Sequence, residues 1–416
     1  MVPVSRTDDS APAFLPAAFT AVSAVCVTGL TPVDPATYWT PFGQGVILAL
    51  IQIGGFGIMT LATLLSLMVA GRLGLRNMMV VQSESHSVNL GDARTVLRRV
   101  AVTMALFETA LAVVLTARFR VAYDDNWADA LWHGIFHAVS AFNNAGFALY
   151  SDNIIGFVTD PWICVPLSVG VIAGGLGFPV LAELHQRARR PAYWTMHTRL
   201  TVYGSLLLLV VGTGVVLIFE WSNQGTLGDL SVGGRIVAAV TGGVMPRTAG
   251  FNSIDYGAIT PETLVFTDGL MFIGGGSAGT AGGIKVATFF LLAFVIWAEI
   301  RGEADVKVGH RSISAATQRQ ALSVALLGVG VVALGTVTIL VLSEYSLDVV
   351  LFESISAFAT VGLTTGITAD LAAPAQVVLM TLMFVGRVGT ITVATALALK
   401  TRHRHYQLPE ERPIIG

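Results

Sequence analysis

Long apolar stretches alternate with short polar segments along most of the chain. Seven stretches approach the roughly 20 residues that an α-helix needs to cross the hydrocarbon core of a bilayer. They cover about residues 46–70, 97–117, 163–182, 200–219, 264–298, 321–342 and 375–398, and glycines interrupt the fifth. Only 12% of the 416 residues are charged, against about 25% in soluble domains. The pattern predicts an all-α polytopic membrane protein and excludes a large soluble core.

The basic residues indicate the orientation of these helices. Most lysines and arginines lie in four short segments, at 71–99, 186–199, 301–319 and from Lys400 onward. Basic loops stay in the cytoplasm, so these segments are predicted to be cytoplasmic, and the acidic Asp124, Asp125 and Asp129 lie outside. With seven spans, the N-terminus then also lies outside. We therefore expect one more apolar helix, in about 20–30 residues, to precede Met1 in the native polypeptide.

Four short glycine-containing segments lie between the apolar stretches and resemble one another. Three of them place Ser-Ala six and five residues before a glycine, whereas the third in chain order has Val244-Met245 there. The glycines are Gly29, Gly146, Gly250 and Gly362. A short apolar run that ends in glycine between two spans is typical of a re-entrant loop, because it is too short to cross the bilayer.

The recurrence of these loops predicts four repeated units around a common axis. Residues 1–70 form the first pore repeat, without its outer helix; residues 95–186 form the second; residues 198–299 form the third, with an interrupted inner helix; residues 319–402 form the fourth; residues 403–416 form a cytoplasmic tail. Backbone inside a bilayer must be hydrogen-bonded or line a polar cavity. Four loops at one axis therefore suit a cation path lined by carbonyl oxygens, and four bends of a packed bundle are the alternative.

The sequence resembles the Trk/Ktr/HKT superfamily of potassium transporters and is similar to its KtrB and TrkH membrane subunits. The resemblance covers about residues 17–402. It depends on TAVSAVCVTGL at 20–30, FNNAGF at 142–147, RTAGFN at 247–252 and TVGL at 360–363. It implies four helix–pore-loop–helix repeats around a pseudo-fourfold central pore. The absence of a helix before the first loop departs from the family pattern.

The resemblance also implies the function and its site. The implied activity is potassium uptake across the plasma membrane, through a selectivity filter whose residues hold K⁺ with backbone carbonyls. These residues are Val27, Thr28, Gly29, Asn144, Ala145, Gly146, Thr248, Ala249, Gly250, Thr360, Val361 and Gly362. Family members with serine at the first filter glycine tend to carry sodium, so Gly29 resembles the potassium form. A sodium or sodium-coupled cation transporter of the same superfamily is the alternative, with Na⁺ or H⁺ as a coupling ion.

The resemblance further implies a homodimer that works with a separate cytoplasmic nucleotide-binding regulatory subunit of the KtrA or TrkA type. The chain has no nucleotide-binding loop, paired catalytic carboxylates or nucleophile elbow. We therefore expect no enzyme activity, no bound organic cofactor and no nucleic-acid partner. A broken-helix transporter of an organic solute would predict an inverted twofold repeat, whereas this chain shows four units in one orientation.

The interruption of the fifth apolar stretch is the second motif. Its sequence, FIGGGSAGTAGGIK at 272–285, has too many glycines for a stable helix. It resembles the family's intramembrane gate loop, which blocks the pore beneath the filter, and a glycine-rich helix-packing seam is the alternative. The predicted gate residues are Gly274, Gly275, Gly276, Ser277, Ala278, Gly279, Thr280, Ala281, Gly282, Gly283, Lys285 and Arg387.

Charged and amide side chains within the apolar stretches complete the candidates. Arg387 lies near the middle of the last stretch, where a charge costs about 2.5 kcal/mol or more, and it is predicted to donate to loop carbonyls. Lys285 acts similarly or extends to the cytoplasm. Glu108 is interpreted as a structural acceptor, with a coupling-ion site as the alternative. Arg247 precedes a filter glycine and is expected to shape the outer mouth, with potassium binding as the alternative. Asn143 and Asn144 are expected to hold the second loop, with ion coordination as the alternative.

Overall fold

The computed structural model describes residues 5–7, 14–72, 93–123, 126–303, 305–309 and 311–389. The regular secondary structure of this part of the chain is helical except for one antiparallel pair of short strands, β1 (Lys307–Val308) and β2 (Arg311–Ser312). The helices are α1 (Phe14–Cys26), α2 (Pro35–Tyr38), α3 (Pro41–Arg72), α4 (Ala93–Ala122), α5 (Trp127–Phe142), α6 (Pro161–Leu176), α7 (Phe178–Arg187), α8 (Met196–Glu220), α9 (Val232–Val244), α10 (Pro261–Phe272), α11 (Val286–Ile300), α12 (Ala315–Leu342), α13 (Leu347–Phe358) and α14 (Ala373–Phe384). The prediction of a mostly helical chain with several apolar helices is confirmed.

Four of the described helices are long and apolar enough to span a bilayer. They are α3 over Pro41–Leu65, α4 over Arg94–Ala122, α8 and α12, and only 22–39% of their most apolar windows is buried inside the protein. The outward faces carry large apolar side chains such as Leu106, Ile218 and Val341, which are 68–81% exposed. An apolar surface of this extent suits contact with lipid chains rather than with water.

The third predicted span is broken, contrary to the continuous stretch expected at 163–182. Helices α6 and α7 meet at Gly177 with a bend of 102°, and together they count as one further candidate span. Gly177 has a φ of 90° and a ψ of 150°, a conformation that glycine adopts more readily than other residues. Pro179 follows in the first turn of α7, where its missing N–H costs nothing. These two residues permit the bend without making the stretch polar, so hydropathy alone did not locate it.

The ends of the predicted connectors and spans are only partly described. The polar connector at 71–96 and the tail at 403–416 lie mostly or wholly outside the described residues, as does the last predicted span beyond residue 389. Before that point α14 passes into a π-helical turn, Val385–Gly389. Short 3₁₀ turns occur in loops of the described part of the chain, at Ile155–Phe157, Pro191–Tyr193 and Ile367–Ala369.

The short helices α1, α5, α9 and α13 each pack against a long one. α1 packs on α3, α5 on α4, α9 on α8 and α13 on α12. Contacts between these units follow chain order: α3 meets α4, α6 meets α9, and α10 meets α13. The last unit then meets the first, because α14 packs on α1. The contacts of the described helices therefore form a closed circle, and the segments that follow the short helices are mostly buried.

Candidate functional site

The four glycine segments share one backbone conformation. Each has a positive φ at the glycine and at the residue two positions before it. The pairs are Val27 (55°) and Gly29 (102°), Asn144 (58°) and Gly146 (69°), Thr248 (69°) and Gly250 (69°), and Thr360 (49°) and Gly362 (97°). A positive φ is uncommon for residues other than glycine, so its occurrence at four equivalent positions marks a backbone that the surrounding structure imposes.

The segments contact one another in a closed ring. A β-carbon on Gly29 would lie 2.5 Å from the carbonyl oxygen of Ala145 in the second segment. The same substitution at Gly146 would meet the Ala249 oxygen at 2.8 Å, at Gly250 the Val361 oxygen at 2.1 Å, and at Gly362 the Thr28 oxygen at 2.0 Å. Each glycine therefore lets the next segment approach, and the fourth segment returns to the first. No side chain longer than hydrogen fits these four positions without a backbone shift.

The recurring serine holds the segment that follows it. The Oγ of Ser23 accepts a hydrogen bond from the Gly29 amide at 3.0 Å, and the Oγ of Ser356 accepts one from Gly362 at 3.1 Å. The hydroxyl of Ser140 donates to the Phe147 carbonyl at 2.8 Å. The third unit has Val244 at this position, and there the Met245 carbonyl accepts from the Gly250 amide at 3.4 Å. The recurrence of Ser-Ala in the sequence thus reflects hydrogen bonds by which each serine supports its own segment of the ring.

The second segment is also tied to the helices outside it. The Asn143 amide nitrogen lies 2.9 Å from Gln52 Oε1 and 3.0 Å from Glu108 Oε1. The Gln52 amide donates to Glu108 Oε2 at 3.1 Å. A β-carbon on Gly55 would lie 1.8 Å from Asn143 Oδ1, so α3 needs a glycine there. Glu108 therefore accepts hydrogen bonds from two neighbouring elements in the described structure, as its interpretation as a structural acceptor requires.

The glycine-rich loop between α10 and α11 is closed at its base. The Gly274 amide donates to the Ile284 carbonyl at 2.9 Å, and the Ile284 amide donates to the Phe272 carbonyl at 3.1 Å. Between these bonds the chain leaves the helical path and returns, so residues 274–283 form a compact loop. These hydrogen bonds therefore hold the shape of the loop, although its residues do not favour a helix.

The loop docks onto the break between α6 and α7. The Gly276 amide donates to the Gly175 carbonyl at 2.7 Å, and the Thr280 amide donates to the Gly174 carbonyl at 3.1 Å. The Phe178 amide donates in turn to the Ala278 carbonyl at 3.3 Å. These bonds satisfy carbonyls that the broken helix leaves free. Sequence reasoning missed this docking position of the loop. The sequence signal that marks it is Gly174-Gly175 followed by Gly177 and Pro179.

The loop also contacts the ring directly. The Thr280 hydroxyl lies 3.1 Å from the Phe142 carbonyl and 3.0 Å from Asn144 Oδ1. A β-carbon on Gly282 would lie 2.1 Å from Thr360 Oγ1. The loop is therefore in contact with the second and fourth segments of the ring.

Three basic side chains donate to the loop. Arg387 donates through Nη1 to the Thr280 carbonyl, and Lys285 donates to the Ala281 carbonyl at 2.7 Å. Arg247 donates to the Gly274 carbonyl at 3.1 Å and to the Ser205 carbonyl at 2.9 Å. The expectation that Arg247 shapes the outer mouth is therefore wrong: it joins the third segment to α8 and to the start of the loop. Among the described residues, no carboxylate lies within ion-pair distance of these three side chains.

Two buried glutamates were also missed by sequence reasoning. Glu353 on α13 is fully buried, and its carboxylate accepts from the hydroxyl of Thr364, the amide of Thr365 and the hydroxyl of Thr368 at 2.5–3.0 Å. Glu220 at the end of α8 accepts from Thr260 in a similar manner. A run of threonines after a filter-like glycine is a weak sequence signal for such a carboxylate, because threonines are frequent in this chain.

Comparison with known proteins identifies the family. Residues 3–406 match the TrkH family, described as a cation transport protein. The chain is 38% identical over 416 residues to "Ktr system potassium uptake protein B" of Bacillus subtilis, covering 100% of this chain and 92% of that protein. It is 37% identical to the protein of the same name from Vibrio alginolyticus, covering 96% of this chain and 88% of that protein.

A solved structure supports the fold. The crystal structure of the potassium transporter TrkH from Vibrio parahaemolyticus superposes with a TM-score of 0.68 at 18% identity, covering 93% of this chain and 78% of that chain. The predicted family membership is confirmed, as is the expectation of a transport protein rather than an enzyme. The closed circle of helices, the ring of glycines and the match over nearly the whole chain agree: the chain belongs to the TrkH family of cation transport proteins.

Proposed function

We propose that the chain is the pore-forming subunit of a potassium uptake system, with the glycine ring as its selectivity filter. The observation that carries this proposal is the closed contact of four equivalent backbone segments in chain order. Positive φ at alternate residues of each segment lets successive carbonyls turn toward one axis. Rings of carbonyls replace the hydration shell of K⁺ in selective pores. The relatives are named potassium uptake proteins, which agrees with this choice of ion.

The proposed architecture is four helix–pore-loop–helix repeats, with α1, α5, α9 and α13 as pore helices. Each of these helices ends just before its filter segment. The C-terminal end of a helix carries a partial negative charge of about half an elementary charge. Four such ends around the ring favour a cation over an anion. The residues of the ring are uncharged, so this selectivity comes from backbone groups and helix dipoles.

We propose that residues 274–283 form the gate of this pore. The loop lies against Asn144 and Thr360, at the level of the first positive-φ residue of each filter segment. The guanidinium of Arg387 and the ammonium of Lys285 both bind loop carbonyls. Two positive charges at this depth repel a potassium ion that leaves the filter, because the surroundings screen charge weakly. The loop and the two basic side chains that hold it, Arg387 and Lys285, which we call the clamps, therefore favour a closed path.

The remaining features follow from the family and the system named in the relatives. We propose a location in the plasma membrane, assembly as a homodimer, and regulation by a separate cytoplasmic nucleotide-binding subunit. The relatives are named as parts of a "Ktr system", which supports more than one component. Flux coupled to Na⁺ or H⁺ and uncoupled flux are both compatible with the ring.

Ion flux in proteoliposomes tests the proposal. The purified full-length protein is expected to carry K⁺ faster than Na⁺ at equal gradients. Gly29→Ser is expected to lower the K⁺/Na⁺ ratio, because a side chain at a φ of 102° would lie against the Ala145 carbonyl. Gly330→Ala on α12 is the matched control and is expected to keep the parental ratio. An added β-carbon there would meet no described atom within 4 Å apart from the backbone of its own helix. Equal K⁺ and Na⁺ fluxes in the parent would contradict a potassium filter, and an unchanged ratio in Gly29→Ser would contradict the role of this position.

A further inference from the structure

The second filter segment has a support that reaches outside the ring. Asn143 directly precedes Asn144, the left-handed residue of this segment with a φ of 58°. Its side chain is fully buried, and its amide nitrogen contacts Gln52 on α3 and Glu108 on α4. The equivalent positions in the other segments are Cys26, Arg247 and Ala359. Among these four positions of the ring, only Asn143 contacts a carboxylate in the described structure.

The network is unusual because it contains a carboxylate in the middle of a candidate membrane span. Glu108 lies in the middle of α4, a candidate membrane span, where an ionisable residue is costly and generally has a function. Its two oxygens have different partners: Oε1 accepts from Asn143 at 3.0 Å and Oε2 from Gln52 at 3.1 Å. Both carboxylate oxygens are thus used in fixing other side chains.

Two further contacts pack α3 and α4 against the second filter segment. Phe107 on α4 stacks on Phe142 with ring centroids 5.4 Å apart, and Phe142 directly precedes Asn143. On α3, Gly55 leaves the space that Asn143 Oδ1 occupies. The network therefore fixes the point at which the backbone leaves α5 and enters the ring.

We infer that Glu108 and Gln52 are positioning residues for the second filter segment, and that through Asn143 they determine how well the pore rejects sodium. The inference rests on the proposed function of the ring. The second segment contacts the first through Ala145 and the third through Gly146, so a shift of Asn143 changes the carbonyl positions of three segments. Rejection of sodium depends on the number and placement of those carbonyls. Glu108 acts in this account through its hydrogen bonds, without binding a coupling ion.

A pair of substitutions at one position separates positioning from ion coupling. Glu108→Gln keeps an oxygen acceptor and removes the charge, whereas Glu108→Leu removes both at similar volume. We expect Glu108→Leu to lower the K⁺/Na⁺ flux ratio in proteoliposomes by about two- to tenfold, the range that loss of one net hydrogen bond implies. Glu108→Gln keeps one of the two acceptor oxygens, so it is expected to lower the ratio less than Glu108→Leu does. The dependence of K⁺ flux on external Na⁺ and on pH is expected to be the same in the parent and in Glu108→Gln.

Two more variants keep the test decisive. Gln52→Leu opens the same network from α3 and is expected to lower the ratio similarly, so it replaces Glu108→Leu if that variant does not fold. Thr116→Val is the control on α4: its buried hydroxyl makes no hydrogen bond within the described part of the chain, and the parental ratio is expected.

The outcomes distinguish this inference from the proposed function. A parent that carries no K⁺ contradicts the proposed function itself. A selective parent with an unchanged ratio in both Glu108→Leu and Gln52→Leu overturns the positioning role and leaves the proposed function intact. A Glu108→Gln variant that keeps its ratio but loses a parental dependence on Na⁺ or pH also overturns it, in favour of a coupling-ion site. An equal loss of selectivity in Thr116→Val would show that any disturbance of α4 suffices, which contradicts a specific network.

Discussion

The glycine ring and the glycine-rich loop beneath it have similar compositions but are held in different ways. In the ring, each segment is supported by the neighbouring segment and by a serine of its own short helix, or in the third unit by the Met245 carbonyl just after that helix. The second segment is also bound by Gln52 and Glu108. In the loop, the supports come from elsewhere: Arg387 near the end of the chain, Arg247 beside the third segment, and the carbonyls of the broken α6. Local support suits a structure that keeps one geometry, and remote support suits the movement that we propose for the loop.

The difference follows from how many partners each region must lose to change shape. A shift in the ring displaces backbone atoms of adjacent segments, which are in direct contact at all four glycines. Packed backbones of this kind deform only at high energy. Release of the loop requires its hydrogen bonds to break, both those from side chains on other elements and those with the backbone around the α6–α7 bend, each worth about 0.5–3 kcal/mol. Substitutions in the ring are therefore expected to have larger effects than substitutions in the clamps.

The largest effect is expected at Gly362. A β-carbon there would lie 2.0 Å from the Thr28 oxygen on a backbone with a φ of 97°. Strain and overpacking together cost about 2–6 kcal/mol. Gly362→Ala is expected to reduce potassium uptake to background in a transport-deficient strain and to lower thermal stability in detergent. Gly330→Ala provides the comparison, and it should transport normally. Parental uptake by Gly362→Ala would show that the segments do not touch at this position.

Arg387 is expected to have the next largest effect, in the opposite direction. Arg387→Ala removes a charge-assisted hydrogen bond to the loop, worth roughly 1.5–3 kcal/mol, and a positive charge below the ring. The maximal potassium flux in proteoliposomes is expected to rise about tenfold or more, with the K⁺/Na⁺ ratio retained. Arg387→Lys keeps the charge, and its maximal flux is expected to lie between those of the parent and of Arg387→Ala. A folded Arg387→Ala protein with lower flux would indicate a structural role for Arg387 in the bundle instead of a clamp.

Thr280 tests whether the loop is held by the ring as well as by the basic residues. Thr280→Val removes the hydroxyl that contacts Asn144 and Phe142 but leaves the backbone bonds of residue 280 in place. Flux is expected to rise about two- to tenfold, as the loss of one net hydrogen bond implies. Thr201→Val is a matched control, since Thr201 is fully buried beside Gly276 and its hydroxyl has no hydrogen bond among the described residues. If Thr280→Val and Thr201→Val change the flux equally, the hydroxyl contact does not hold the loop.

The smallest effect is expected at Ser356. Its hydroxyl links the Gly362 amide and the Leu363 carbonyl, and Ser356→Ala is expected to cost about 1 kcal/mol of stability and to lower the K⁺/Na⁺ ratio a few-fold. Ser354→Ala removes a nearby buried hydroxyl that makes no hydrogen bond in the described structure, so parental behaviour is expected. Thermal unfolding in detergent and paired flux measurements compare the two. A greater loss in Ser354→Ala than in Ser356→Ala would contradict the local support of the ring.

The sequence predicted the elements whose cause is local. Long apolar runs form helices in any membrane protein, and α3, α4, α8 and α12 were expected close to where they lie. The four glycine segments were recognisable because a positive φ and close backbone approach require glycine at fixed spacing. The excess of glycine at 274–283 likewise predicted a break in the helix, since each glycine costs about 1 kcal/mol against alanine.

What only the tertiary structure decided is which distant residues meet. Gly177 and Pro179 permit the bend, but the carbonyls it frees are bound by a loop about 100 residues later, so hydropathy of that stretch alone reads as one span. Arg247 was assigned to the outer mouth because it precedes a filter glycine, but the position of α8 directs it to Ser205 and Gly274. Glu108 had no cation near it in sequence, and its partners come from α3 and the second segment. Sequence patterns encode the geometry of one helix or one turn, whereas hydrogen bonds between elements depend on packing that no single stretch of the chain contains.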